Sequence, residues 1–266
     1  MTLVMGILNV TPDSFSDGGA YLDTEAAIGH ARGMLAAGAS IIDVGGESTR
    51  PGSARVGVAE ELERVIPIVH ALAGDGIAVS VDTMRAEVAS AALDAGARII
   101  NDVSGGQADP DMLGVVARSG ADFVLMHWRD HSERFQDTAS YDDVVFDVSH
   151  ELIAQRDKAI DAGIARERII LDPGLGFSKT WDHNWTLLRH LAQFQKLGHR
   201  VLVGASRKAF LGELLGGREP LGRDGATAAV SFWAAQVGVW AVRTHDVAGQ
   251  SDAIAVARRL ALESPF

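Results

Sequence analysis

Eight short, almost continuously apolar runs recur along this chain at intervals of about 30 residues, the length of one strand-plus-helix unit. They are Leu3–Val10, Ser40–Gly45, Ile77–Asp82, Arg98–Val103, Asp122–His127, Ile169–Asp172, Arg200–Gly204 and Val239–Arg243. No hairpin turn joins any two of them, which is the pattern of parallel strands buried on both faces. Ala-, Glu- and Arg-rich stretches of helical character lie between them, among them Thr24–Ala37, Ala59–Leu72, Ala86–Ala95, Asp142–Ala162 and Asp252–Leu262. Several of these stop at a glycine just before the next strand, as at Ala37-Gly38-Ala39, Ala95-Gly96-Ala97, Ser119-Gly120-Ala121 and Ala162-Gly163-Ile164, the usual glycine C-cap. A doubly wound sheet would also alternate strand and helix. Eight units without a Gly-x-Gly-x-x-Gly after the first strand favour the closed alternative, an α/β protein of the (β/α)8 TIM-barrel type. No linker or low-complexity tract divides the chain, so residues 1–266 are expected to form one domain.

Composition narrows the function. A net charge of −11 argues against nucleic acid or an anionic membrane surface as a partner. The absence of cysteine removes disulfides, thiolate catalysis and Cys-ligated zinc. The most membrane-like stretch, Ala226–Val242, is interrupted by Thr227, Ser231, Gln236 and Gly238. It falls short of the roughly 20 apolar residues a spanning helix needs and is expected to be a buried helix followed by a buried strand. No basic, apolar leader opens the chain, and a cytoplasmic location is expected.

The strand ends carry a second regularity. Polar residues stand at nearly every C-terminal strand end: Asn9, Asp43, Asp82, Asn101, His127, Asp172, Ser206 with Lys208, and Arg243 with His245. Taken singly, each is as well explained by a cap or a loop anchor. Repeated at every strand end, they mark the face on which barrel enzymes build their sites. The first two βα connections, Met5–Gly19 and Asp43–Gly52, are long and rich in Gly, Pro, Ser and Asp, as loops covering a ligand are.

In chain order the strand ends read MGILNVTPDSFSDGG, DVGGESTRPG, SVDT, INDVSGG, LMH, LDPGLGF, VGASRK and RTHD. From end to end this series closely resembles the dihydropteroate synthase family of pterin-binding enzymes. The resemblance implies condensation of 4-aminobenzoate with (7,8-dihydropterin-6-yl)methyl diphosphate, with Mg²⁺ on the diphosphate and a homodimer as the assembly. It places Asp172 against the amino and ring N–H edge of the pterin, a bidentate pairing. Asn101 meets the mixed donor and acceptor edge, Asp82 accepts from ring nitrogens, and Lys208 donates on the ring carbonyl side. Met126 and Phe177 either pack on the ring faces or belong to the core. Arg243 and His245 hold the diphosphate, and Asn9 is the metal-contacting amide. Thr49 stands in the second loop beside the substrate, with Ser48, Arg50 and Pro51 flanking it. Asp17, in the first loop, either stabilises the pterin cation or caps a turn. Ser206 and the helix start that follows receive the aminobenzoate carboxylate; Arg207 joins them or forms a structural ion pair. Asp43 and His127 are read as scaffold for their loops.

No nucleophile or Ser-His-Asp set is evident, and a dissociative route with positioning and electrostatics as its means is favoured. One stretch departs from the family pattern: Trp128–Gln136 follows Leu125-Met126-His127 with an actinobacterial-like text and leaves Trp128 and Arg129 without a role. A methyltetrahydrofolate-type methyltransferase shares a pterin-binding barrel but has no need of Ser206-Arg207-Lys208 with Arg243-x-His245. A non-catalytic pterin-binding paralogue would be expected to have lost parts of these motifs. A metal-dependent hydrolase would carry His-x-His where Asn9-Val10-Thr11 stands.

Overall fold

A computed structural model of the protein describes residues 1–10, 20–47, 56–130 and 138–262. Eight strands close a barrel in sequence order, each parallel to its neighbours, and β1 closes on β8. They are β1 (Leu3–Asn9), β2 (Ile41–Gly45), β3 (Val79–Asp82), β4 (Ile99–Asp102), β5 (Asp122–Met126), β6 (Ile169–Asp172), β7 (Arg200–Val203) and β8 (Ala241–Thr244). The helices are α1 (Ala20–Ala36), α2 (Val58–Gly74), α3 (Ala86–Asp94), α4 (Met112–Ser119), α5 (Val144–Asp161), α6 (Trp181–Arg189), α7 (Leu191–Gln195), α8 (Ala209–Leu214), α9 (Asp224–Val237) and α10 (Val247–Leu262).

All eight expected strands form, with ends shifted by no more than two residues. Two helices begin about a turn earlier than expected. The first starts at Ala20 rather than Thr24, and the last at Val247 rather than Asp252. In α10 the gain goes with a cap and with packing: Asp246 Oδ1 accepts the Gly249 N–H at 3.4 Å, and Val247 is buried and comes close to Gly6 of β1, as does Met34 of α1. Burial and the Asp246 cap together recruit a Val-Ala-Gly-Gln-Ser start of weak helical propensity. The stretch Ala226–Val242 divides into α9 and β8, and no helix among the described residues is long and apolar enough to cross a membrane. Gly96, which ends the α3 unit, shows why that stop must be glycine. Its φ is +105°, and a Cβ there would lie 2.7 Å from the Cβ of Ala73.

Two-residue alternation along the strands sorts the core. One set, including Val4, Leu8, Ile42, Val44, Val79, Val81, Ile100, Phe123, Leu125, Leu171, Val203 and Val242, belongs to the large cluster that joins strands to helices. The other set forms a separate cluster of Met5, Ile41, Ile99, Val124, Ile170, Leu202 and Ala241 inside the barrel. Two residues further along the same strands, on the same inward face, stand Ile7, Asp43, Asn101, Met126, Asp172, Gly204 and Arg243. The barrel is therefore plugged with hydrocarbon at its lower layer and turns polar one layer up.

Candidate active site

The polar layer is built around Arg243. Its Nε donates to Asp43 Oδ2 at 2.6 Å and its Nη2 to Asp82 Oδ2 at 2.7 Å, joining β8 to β2 and β3. Asn101 Nδ2 donates to the same Asp43 oxygen at 3.1 Å. Asp43 is fully buried, and without these donors its charge would be prohibitively costly there. It supports Arg243 and Asn101 from below rather than facing a ligand. Burial pushes the Asp82 carboxyl up from the usual range; Arg243 opposes the shift, while Asp43 and Asp102 add to it. The neighbouring Asp102 carboxyl accepts from Ser104 N and Oγ and from Gly106 N, shaping the turn after β4. Burial takes that carboxyl to about 6 in spite of those bonds.

Asp172, Lys208 and Phe177 form the opposite wall. Asp172 Oδ1 accepts the Gly174 N–H at 2.7 Å. Burial raises its carboxyl, with Lys208 and the Gly174 N–H pulling the other way. Lys208 Nζ donates to the Leu175 carbonyl and lies 4.7 Å from the Phe177 ring centroid. Burial brings that ammonium down to about 8, although Asp172 favours its charge. Gly204 keeps the space between the two charges open, since a Cβ there would lie 3.9 Å from both Asp172 Oδ2 and Lys208 Nζ. Gly45 does the same across the mouth: its Cβ would lie 3.7 Å from Asn9 Oδ1 and 3.9 Å from Asp82 Oδ2. Met126 is buried next to Asp172, its register partner across β5 and β6.

Ser206 Oγ sits 2.9 Å from His245 Nδ1 and accepts the His245 N–H at 3.1 Å, so these two residues come together at the ends of β7 and β8. Arg207 takes the structural alternative. It adopts a positive φ of 57° and donates twice to Asp224, at 2.7 and 2.8 Å, tying the turn to the start of α9. In the turn between Ser206 and α8, the amides of Arg207 and Lys208 are taken by Thr227 Oγ1 and the Ala205 carbonyl. Asp17, Thr49 and its neighbours Ser48, Arg50 and Pro51, and residues 131–136 of the divergent stretch lie outside the described residues.

Three features had no place in the sequence reading. Arg129, left without a role, donates to Glu151 and to the carbonyls of Thr138 and Ser140, and lies 3.8 Å over the Tyr141 ring. Arg85 bonds Glu61, Glu47 and the Val56 carbonyl, and Thr83 Oγ1 donates to Glu61 at 2.7 Å. Glu61 was detectable, because it falls in register with Val65, Ile68, Val69 and Leu72 on the buried stripe of α2. Lys179 is buried beside His127 and carried no such signal.

A closed barrel with an inward-facing set of carboxylates, an amide and two cations above its apolar plug defines a barrel enzyme site for a small polar ligand. The family model described as pterin binding enzyme matches residues 5–245, so the chain belongs to that family. The dihydropteroate synthase of Mycobacterium leprae is 53% identical to it, over 95% of this chain and 91% of the relative. A Xanthomonas albilineans dihydropteroate synthase structure with 4-aminobenzoic acid superposes with a TM-score of 0.92 at 43% identity, covering 99% of this chain and 94% of that one. The same enzyme in complex with 7,8-dihydropteroate gives a TM-score of 0.88 at 41% identity, covering 99% and 95%.

Proposed function

We propose that this chain is a dihydropteroate synthase, a transferase that condenses 4-aminobenzoate with (7,8-dihydropterin-6-yl)methyl diphosphate to give 7,8-dihydropteroate and diphosphate. The observation that carries this reading is the wall formed by Asp172 and Lys208, an acceptor and a donor separated by the bare Gly204, in a chain so similar to known enzymes of this activity. A pterin presents an amino group and a ring N–H side by side, with a carbonyl next to them. A carboxylate takes the first two and an ammonium the third.

In the reaction the methylene C–O bond breaks with its electron pair leaving on diphosphate. The arylamine nitrogen then bonds to the methylene carbon and loses a proton. An arylamine attacks unaided, so the protein's work is to orient and stabilise. Asp82 and Asp172 stabilise the electron-poor pterin. Arg243 has two donors committed to Asp43 and Asp82, which fixes its plane and leaves Nη1 to face the leaving group. Ser206 and His245 form the corner for the diphosphate and the aminobenzoate carboxylate. Asn9, beside Gly45, would hold the Mg²⁺: an amide oxygen is a hard, neutral donor suited to an ion held mainly by phosphate and water. Its contribution would be to neutralise charge on the departing diphosphate.

A homodimer goes with this reading and has a surface to use, since Trp233 of α9 and Val256 and Leu260 of α10 are exposed. The cytoplasmic location expected from the sequence goes with it too. The test is diphosphate release that requires both substrates, repeated with Asp172→Asn and Lys208→Ala. Each variant is expected to lower kcat/KM for the pterin substrate about 100-fold, equivalent to about 3 kcal/mol for a lost charge-assisted bond. Full activity in both overturns the site. Secondary isotope effects near unity at the methylene carbon overturn the dissociative order.

A further inference from the structure

We infer that Lys179 is a positioning residue for the pterin end of the pocket, its buried ammonium supporting the Asp172 carboxylate from behind. The inference deepens the function proposed above and rests on it.

Lys179 stands two residues past Phe177, after Ser178, whose φ of 48° turns the chain inward. Its side chain is 9% exposed. Nζ donates to the Phe177 carbonyl at 2.9 Å and meets His127 Nδ1 at 2.9 Å. Among the described residues no carboxylate forms an ion pair with it. A buried ammonium with only neutral partners is costly, and burial takes it down to about 7. Such a cost calls for a compensating use.

The surroundings show where the charge is directed. His127 Nε2 lies 2.9 Å from Glu151 Oε2, and Arg129 donates to both oxygens of that carboxylate. With Nε2 as the donor, the Nδ1 lone pair turns to Lys179. Burial, and Lys179 beside it, keep the imidazole neutral, at about 4. The His127 backbone N–H in turn donates to the Asp172 carbonyl at 2.8 Å, so the partner of Lys179 is stitched to the strand end bearing Asp172. Asp172 is the strongest charge favouring the Lys179 ammonium, with Glu151 after it; Lys208 and Arg129 oppose it. Asp172 itself is faced by Lys208, Lys179 and Arg243. Glu151, His127 and Lys179 are thus linked in turn, His127 is joined to the Asp172 strand end through the backbone, and the Phe177 carbonyl is held by the same ammonium.

A protonated Asp172 would offer a donor to a pterin edge that already donates, so binding requires the carboxylate. Burial lifts the Asp172 carboxyl, and removing a nearby cation lifts it further. The acid limb of kcat/KM for the pterin diphosphate should then move to higher pH in Lys179→Met, by about one unit. In Lys179→Arg, which keeps the charge, the limb should stay where wild type has it. KM for 4-aminobenzoate should change less than twofold in both. A second readout is the pH dependence of 6-hydroxymethylpterin binding, followed by fluorescence, which should shift in the same direction. Thermal melting establishes that each variant is folded; should Lys179→Met fail to fold, Lys179→Gln is read in its place.

A folded, charge-free variant that loses rate uniformly with an unmoved acid limb overturns the inference and leaves Lys179 as a pin for the turn. A Lys179→Arg limb displaced as far as that of Lys179→Met overturns it as well. Wild type without turnover would instead defeat the reaction assigned above, and the pterin-binding profile would still decide the role of Lys179.

Discussion

Arg243 spends two donors on Asp43 and Asp82. Its charge is thereby held at one place in the barrel mouth before any ligand arrives, which is what electrostatic preorganisation requires. His127 shows the same economy with the opposite sign. Burial and the nearby Lys179 lower its pKa from 6.5 to about 4 in the folded protein. The unfolded chain takes up that proton on acidification from 6.5 to 4 and the folded chain does not. The associated stability is thus present above pH 6.5 and is lost as pH falls through this window, by up to about 3 kcal/mol. Acidic groups whose pKa is raised, such as Asp102, act the other way but are common to wild type and variant. In urea unfolding, the stability of wild type relative to His127→Asn should therefore fall between pH 7.5 and pH 4. A gap that stays constant over that range would show that His127 does not carry this linkage.

At the scale of elements, α2 is fastened to the barrel by a charge on its apolar face. Glu61 is 1% exposed and accepts from Thr83, next to Asp82, and from Arg85. Arg85 also reaches Glu47 and Val56, the described residues on either side of 48–55. Removing one partner of a buried pair strands the others, and Glu61→Ala should cost about 3 kcal/mol. The denaturant midpoint should drop with little change in slope. A loss below about 1 kcal/mol, the size of a surface pair, would show that the cluster adds little. The helix starts show how far element boundaries depend on context. Asp143 caps α5 with its side chain and Thr180 caps α6 in a capping box with His183, both by local chemistry. The first turn of α10 combines the two, with Asp246 Oδ1 accepting the Gly249 N–H at 3.4 Å and Val247 buried near β1.

For the whole molecule, the apolar side chains left on α9 and α10 are the surface on which the proposed dimer would close. Val256 and Leu260, four residues apart and both more than half exposed, lie on one face of α10. Leu260→Glu should shift the species seen by analytical ultracentrifugation from dimer to monomer without unfolding the barrel. A wild-type monomer at micromolar concentration would dispose of the dimer, and a Leu260→Glu dimer would place its surface elsewhere.

The barrel, its eight strands and the face that carries the site follow from the sequence, because strand burial and the two-residue period leave a direct record in residue type. The series of strand-end motifs identified the family for the same reason: each motif is local. The sequence left open how those residues divide between ligand contact and support. Arg207 turned out to be paired with Asp224, Arg129 became the centre of a polar cluster, and Lys179 was found buried against His127 and the Phe177 carbonyl. These assignments depend on which side chains from distant strands meet within 3 Å of one another. Only barrel closure fixes that, since it brings the ends of β2, β3 and β8 to one guanidinium and the ends of β5 and β6 to one buried ammonium.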